Sequence, residues 1–480
     1  MQKNEWMGIL SQDHPYKLVW IILILSFYFV GFGGYMLFGL KDLLRILTIL
    51  FLLLFYLFAK DRKIVMYIYP FTIFLPAYIL EIGAYPKHTT IPVLTTKIIP
   101  LLYPYLVDSI YIKASILTEI FFAFYLFHDF IKGKFKAPYP ILLLTIILSS
   151  FISILFAFDK TIACFSFFFL SLHVLTFVLY STIEDFQTLQ KIFTTYFIAL
   201  VFVLLPIAFS GGLRSVLTGK FYMREGAFLI KAPNTGGILI SITLPLMLGK
   251  FLLEKRKTFK LAYMCIFFTL SLALIKTGSR NGLIASFAAI FTFVFLSFRK
   301  MNKKYRTYLY LGSALVLLSL YLFTTGIPIL KMRLNMNFIL MDPSIQLRLM
   351  TWKKIIEHFI RHPFSIVGIG NFQYSQFQFG LAHAHNFFLH NLVEIGIFGS
   401  LAILLLYLFI LKELWLTLKR TEENLVIHIT VISLIASLIA SFVNFSVDMK
   451  AYTSSGIEAY CLLLSISLAY ARLKIPSGRS

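Results

Sequence analysis

Long apolar runs recur along the chain, separated by short polar connections. They fall at residues 18–38, 43–59, 64–82, 114–131, 140–158, 161–182, 192–210, 235–253, 259–276, 282–298, 307–327, 387–411, 425–443 and 454–471. Within each run the apolar residues are continuous, whereas the strands of a membrane barrel alternate, so these segments predict membrane-spanning helices. The expected fold is all-α: a polytopic helical membrane protein in which residues 1–480 form a single domain. The runs give fourteen transmembrane helices, or twelve if adjacent runs pair as re-entrant segments, and both even counts put the termini on one side.

One connection breaks the rhythm. Residues 328–386 form the only long polar excursion after residue 120, and loops of this length inside a compact fold usually carry function. Asp342-Pro343 reads as an N-cap followed by proline at the first helical position. Ile345, Leu349, Trp352, Ile356 and Phe359 then recur at spacings of four and three, and Pro363 closes the segment. This predicts an amphipathic helix whose apolar stripe lies on the membrane surface or caps the bundle.

Charge orients the spans. Lys60-Asp61-Arg62-Lys63, Lys132/Lys134/Lys136, Lys255-Arg256-Lys257, Arg299-Lys300 with Lys303, Lys304 and Arg306, and Lys419-Arg420 occupy alternate connections. By the positive-inside bias these are cytoplasmic. Residues 83–113, 211–234, 276–281, 328–386 and 444–453 are then extracytoplasmic.

Composition supports the membrane reading. The chain is 59% hydrophobic and 14% charged, against about 25% charged in soluble domains. The net charge of +23 comes from short clusters between spans, and no segment forms the soluble basic domain that a nucleic-acid partner would need. Cys164, Cys265 and Cys461 each lie inside an apolar run and read as small buried hydrophobes. Leu18–Leu40 is long enough to span, with no small-residue cleavage site, and reads as a span rather than a cleaved signal.

The chemistry is narrowed by what is missing. No D-x-D or E-x-D pair lies in an extracytoplasmic connection, and P-loop, G-x-S-x-G and H-E-x-x-H motifs are absent. No metal or cofactor is expected, and an anionic substrate would have to be held by cations. Arg280, in Lys276-Thr277-Gly278-Ser279-Arg280-Asn281-Gly282, lies in a tight turn at the bilayer edge. It can grip a phosphate with two hydrogen bonds or snorkel to a lipid headgroup. Arg224 precedes Glu225-Gly226 in the 211–234 connection; Glu225 can equally pair with a neighbouring arginine. Arg214, in the same connection, faces solvent or headgroups more readily. Arg348 lies about 60° from the centre of the apolar stripe, where it can point into a cleft or stay solvated.

Ala382-His383-Ala384-His385-Asn386 stands at the mouth of the 387–411 run. The histidines could be half of a metal site, an interfacial hydrogen-bonding pair, or a general base working near its ordinary pKa. His385 directly precedes Asn386 and the span, where helix formation would fix its direction, so it is the preferred base. His383, with more freedom, is a supporting neighbour, as is Asn386. His390 lies a turn further in and reads as structural, while His358 and His362 read as solvated.

The ordered set Thr277–Gly282, Arg348-Leu349-Met350-Thr351-Trp352, His362-Pro363-Phe364, Gly368-Ile369-Gly370-Asn371-Phe372, His385-Asn386 and Glu394-Ile395-Gly396-Ile397-Phe398-Gly399 resembles the O-antigen ligase / O-antigen polymerase family. These integral-membrane glycosyltransferases share a Wzy_C region, and the likeness covers roughly residues 220–410. The resemblance implies a metal-independent GT-C-type enzyme of the bacterial inner membrane with a periplasmic active site. Its partners would be an undecaprenyl-diphosphate-linked glycan as donor, a sugar of the lipid A core as acceptor, and membrane lipids. It further implies that Arg280, and with it Arg224 and Arg348, binds the carrier diphosphate while His385 activates the acceptor hydroxyl. Within the family the ligase activity is favoured over polymerisation onto a second carrier-linked repeat. A transporter or flippase for the same lipid is the remaining alternative, but the sequence shows neither the internal repeat nor the broken midplane helices of transporters.

Overall fold

The computed structural model describes residues 62–74, 78–82, 110–209, 233–298, 343–447 apart from positions 378, 380 and 382, and 455–473. Among them are twelve α-helices: α1 (Arg62–Thr72), α2 (Ala114–Ile131), α3 (Pro140–Phe156), α4 (Lys160–Ser181), α5 (Phe186–Phe209), α6 (Pro233–Leu253), α7 (Lys257–Thr277), α8 (Arg280–Ser297), α9 (Pro343–Arg361), α10 (Phe387–Arg420), α11 (Leu425–Phe445) and α12 (Ser455–Ala471). Seven are long and apolar enough to cross a membrane, and α3 and α12 are shorter apolar helices. The protein is a polytopic helical membrane protein. The candidate spans 18–38, 43–59 and 307–327 lie outside the described residues.

One expected span is not a single helix. Across 64–82, α1 stops at Thr72 and Tyr78–Ile82 forms a strand, β1, paired antiparallel with β2 (Ile110–Lys113). The sequence explains the stop. Pro70 and Pro76 interrupt the helical pattern, and Tyr78-Ile79-Leu80-Glu81-Ile82 is rich in residues that favour extended backbone.

At the centre, α6 is packed against α5, α7, α8 and α11, and Ile238 through Met247 are all buried. Such close approach needs small residues at the contacts. A Cβ on Gly282 of α8 would stand 2.9 Å from the Gly237 Cα of α6. The two backbones touch, so the first turn of α8 is set against that of α6. α10 packs along α3, and α12 along α4.

The connections sort into two ends. At one, Arg62 pairs with Asp129 at 2.7 Å, Arg472 with Glu413 at 3.3 Å, and Tyr139 donates to Glu413. At the other, Lys276 donates to the Ala208 carbonyl at 2.9 Å, and Asp159 exchanges hydrogen bonds with Asn371 at 2.7 and 3.1 Å. Among the described residues, the basic connections at 132–136, 255–257 and 419–420 share the first end, and the turns carrying Arg280 and His385 share the second.

α10 is broken at Gly396, whose φ of 76° and ψ of −179° are not helical. The break lies close to the site-bearing end rather than midway along the helix. It divides α10 into a short stub, 387–395, and a long shaft that continues to Arg420.

Candidate active site

The last turn of α11 is where the candidate segments meet. A helix ends with carbonyls that have no partner inside the helix, and here side chains from three other elements supply donors. Asn281 Nδ2 donates to the Asn444 carbonyl at 2.9 Å, Asn386 Nδ2 to the Ser446 carbonyl at 2.9 Å, and an Arg348 guanidinium nitrogen to the Val447 carbonyl at 3.1 Å. Asn281 follows Arg280, and Asn386 follows His385. The arginine turn, the loop helix and the histidine loop are thereby drawn to one helix end. Asn444 is itself fixed, its amide donating to Ser241 Oγ of α6 at 2.7 Å.

The turn that carries Arg280 is built by its own letters. Gly278 ends α7 in the left-handed conformation, φ 59°, and its N–H donates to the Ile275 carbonyl at 2.9 Å. Ser279 caps α8, its Oγ accepting the Gly282 N–H at 3.1 Å, and its own N–H donates to Thr277 Oγ1 at 3.2 Å. Lys276 is buried against the end of α5. Arg280 is the half-buried first residue of α8, where the positive end of the helix dipole favours an anion.

The histidine loop is held by distant residues. Glu394 is buried at 1% exposure. Its two oxygens accept the N–H groups of Gly370 and Phe372 at 2.9 and 3.0 Å, and its Oε1 lies 3.2 Å from His390 Nε2. The Gly368–Phe372 strap therefore folds against the α10 stub. Gly368 and Gly370 have φ of 105° and 72°, and a Cβ on either would strike α4 or its approach, at Ala157 or Ser166. Above this platform Ala384 is fully buried. Its carbonyl accepts from Trp352 Nε1 at 2.7 Å, and its N–H points to His390 Nδ1 at 3.5 Å. His383 and His385 stand on either side, half-buried, with ring centroids 6.4 Å apart. His385 takes a left-handed φ of 52°, a conformation costing about 1–2 kcal/mol for a side-chain-bearing residue. Asn386 caps α10, its Oδ1 accepting the Leu389 N–H at 3.0 Å.

The structure thus places Arg280, Arg348, His383, His385 and Asn386 at one end of the bundle. Arg214 and Arg224 lie outside the described residues. Among the described residues no group of three or more His, Cys, Asp or Glu is placed to hold a metal ion.

Two expectations are corrected. The α9 stripe is two faces, not one. Thr351, Ile355 and Phe359 are buried against the bundle, while Leu349, Ile356 and Ile360 are 50%, 48% and 76% exposed. The spacing of four and three ran diagonally across both. His358 is only partly solvated: its ring packs on Phe377 and His362, with centroids 5.1 and 5.0 Å away. Burial, and then the neighbouring His362, push its pKa below the ordinary histidine value. Sequence reasoning also missed the α11 terminus and the Asp159–Asn371 tie. The polar letters Asn444 and Ser446 at the close of an apolar run were the available signal.

Residues 265–404 match the family model of the O-antigen ligases, Wzy_C. Over these residues the chain is similar to the O-antigen ligases. No curated protein matches the chain. The matched region begins within α7 and ends on the shaft of α10, so it contains Arg280, Arg348, His383, His385 and the strap that Glu394 holds. The end of α11, on which these pieces converge, lies outside the matched residues.

Proposed function

We propose that the protein is an O-antigen ligase of the inner membrane, an inverting glycosyltransferase with its active site on the periplasmic side. It would move a glycan from undecaprenyl diphosphate to a sugar of the lipid A core. The observation that carries this reading is the convergence of the Arg280, Arg348 and His385 segments on the last turn of α11, at the end opposite the basic connections.

In this mechanism Arg280 and Arg348, joined by Arg224 and with Arg214 in support, hold the carrier diphosphate. His385 takes the proton from the acceptor hydroxyl. The acceptor oxygen then bonds to the anomeric carbon as that carbon's bond to the diphosphate oxygen breaks on the opposite face. Undecaprenyl diphosphate leaves with the bonding electrons, and the arginines stabilise the charge that grows on it. No metal is required, because guanidinium groups do the neutralising.

The test is reconstitution in nanodiscs with carrier-linked glycan and lipid A core, in excess EDTA. Glycan on the core supports the ligase. Glycan growing on the carrier makes the protein a polymerase, and movement of intact donor between leaflets without transfer makes it a flippase. Activity lost in EDTA and restored by Mg²⁺ or Mn²⁺ overturns the metal-free mechanism. In a cysteine-free background, a cysteine at position 379 should label from the periplasm and one at Lys134 should not. The reverse pattern overturns the topology.

A further inference from the structure

Two groups next to the candidate base do not reach the solvent. His390 is 3% exposed and Glu394 is 1% exposed, so neither can touch a substrate. We propose that this pair is a positioning device, which fixes the Ala384 peptide and so sets the direction of the histidines on either side of it. The inference rests on the transfer reaction proposed above, and it assigns a task to residues which that mechanism does not use.

The hydrogen bonds define the device. A neutral imidazole has one donor and one acceptor nitrogen. Ala384 N–H points at His390 Nδ1, at 3.5 Å, which makes Nδ1 the acceptor and leaves the proton on Nε2. Nε2 faces Glu394 Oε1 at 3.2 Å, and that carboxylate is anchored by the N–H groups of Gly370 and Phe372. Phe372 also packs on the His390 ring, with centroids 5.1 Å apart. On its other side Ala384 is held by Trp352 through the 2.7 Å bond to its carbonyl. With both polar groups of one peptide engaged, the left-handed turn at His385 has a fixed start, and Asn386 gives it a fixed end. The His383 ring stands edge-on to His390 at 5.8 Å, so it is braced by the same pair. A base is effective only when a further group orients it, and a misplacement of 1 Å can cost about 10²-fold in rate.

The experiment compares wild type with His390→Leu, His390→Gln and Trp352→Phe in nanodiscs. It reads kcat and KM for transfer, and hydrogen–deuterium exchange over residues 383–386. Glutamine can accept from Ala384 with its oxygen and donate to Glu394 with its nitrogen, but it cannot relay a proton. Trp352→Phe keeps an aromatic side chain but removes the indole N–H together with the five-membered ring that carries it. The expected result is a kcat about 10²-fold lower in His390→Leu, with donor KM little changed and faster exchange at 383–386. His390→Gln should recover most of both, and Trp352→Phe should lose less in the same direction. Full kcat with unchanged exchange in both His390→Leu and Trp352→Phe overturns the proposal. So does a folded His390→Gln as inactive as His390→Leu, because the imidazole itself would then be needed. An inactive wild type sinks the transfer reading alone, since the exchange rates still decide whether the pair holds the loop. If His390→Leu does not fold, His390→Gln and Trp352→Phe carry the same comparison.

Discussion

The arginine turn and the histidine loop occupy the same end of the bundle but are held in opposite ways. The turn from Lys276 to Gly282 is made by neighbours in sequence: a left-handed glycine, a serine cap and a threonine hydroxyl, seated on α6 by glycine contact. The loop from His383 to Asn386 is held mainly through α9, the α10 stub and the end of α11. In the proposed mechanism a diphosphate-binding cation needs a rigid seat near a helix start, which short-range caps would supply. The proposed base must meet one hydroxyl in one direction, and that direction would depend on three elements agreeing.

The largest expected effect tests the loop. His385→Ala should lower transfer by about 10² to 10⁴-fold, the usual contribution of a general base, while donor binding survives. His383→Ala should lose much less. Single-turnover rates and donor affinity measured together check both, and a reversal of the two effects would move the base to His383. Next comes the turn. Arg280→Lys keeps the charge but loses the planar two-pronged donor set, and should cost about 10² to 10³-fold in rate. Near-normal turnover would return Arg280 to the role of a lipid-headgroup contact.

Gly282→Ala sharpens the comparison through stability. Its Cβ would press on the Gly237 backbone at 2.9 Å, which cannot rotate away, and overpacking of this kind costs about 1–3 kcal/mol. Thermal unfolding in detergent should show the loss, and an unchanged midpoint would mean that α6 and α8 are not in backbone contact. The smallest effect is one of pH. The pKa of His358 is depressed in the folded protein by burial and by His362, so the folded state binds fewer protons there than the unfolded chain. Stability from this site is present above the ordinary histidine pKa and falls as pH drops through it. Amide protection in α9, corrected for the intrinsic pH dependence of exchange, should therefore fall on acidification, and less so in His358→Gln. An equal fall in both would assign the effect elsewhere.

What could be read from the sequence follows the same division. The helices from α2 to α8 and from α10 to α12 follow the apolar runs, because continuous apolar length is a local property, although α5 starts at residue 186 rather than 192 and α10 runs on to 420 rather than 411. α9 starts at Pro343 and ends before Pro363 for equally local reasons. The Arg280 turn was legible because its caps are adjacent letters. Three things were not legible. The stripe on α9 could not reveal that Ile356 faces outward while Phe359 faces the bundle, since both satisfy one spacing. Glu394 and Gly370 meet across 24 residues, and Asp159 and Asn371 across 212, and no periodicity reports such pairs. The hub at Asn444–Val447 falls beyond the matched family region, so the resemblance could not point to it either.

That hub bears on modularity. Because the carbonyls at and just past the end of α11 are taken by Asn281, Asn386 and Arg348, the matched region is not a transplantable cassette. A fragment cut at residues 265 and 404 would keep Arg280, Arg348, His383 and His385 but lack the post on which they are hung. Swapping this region between relatives should succeed only when the α11 terminus travels with it, and a chimera made without it should assemble in the membrane yet hold its arginine turn and histidine loop out of register.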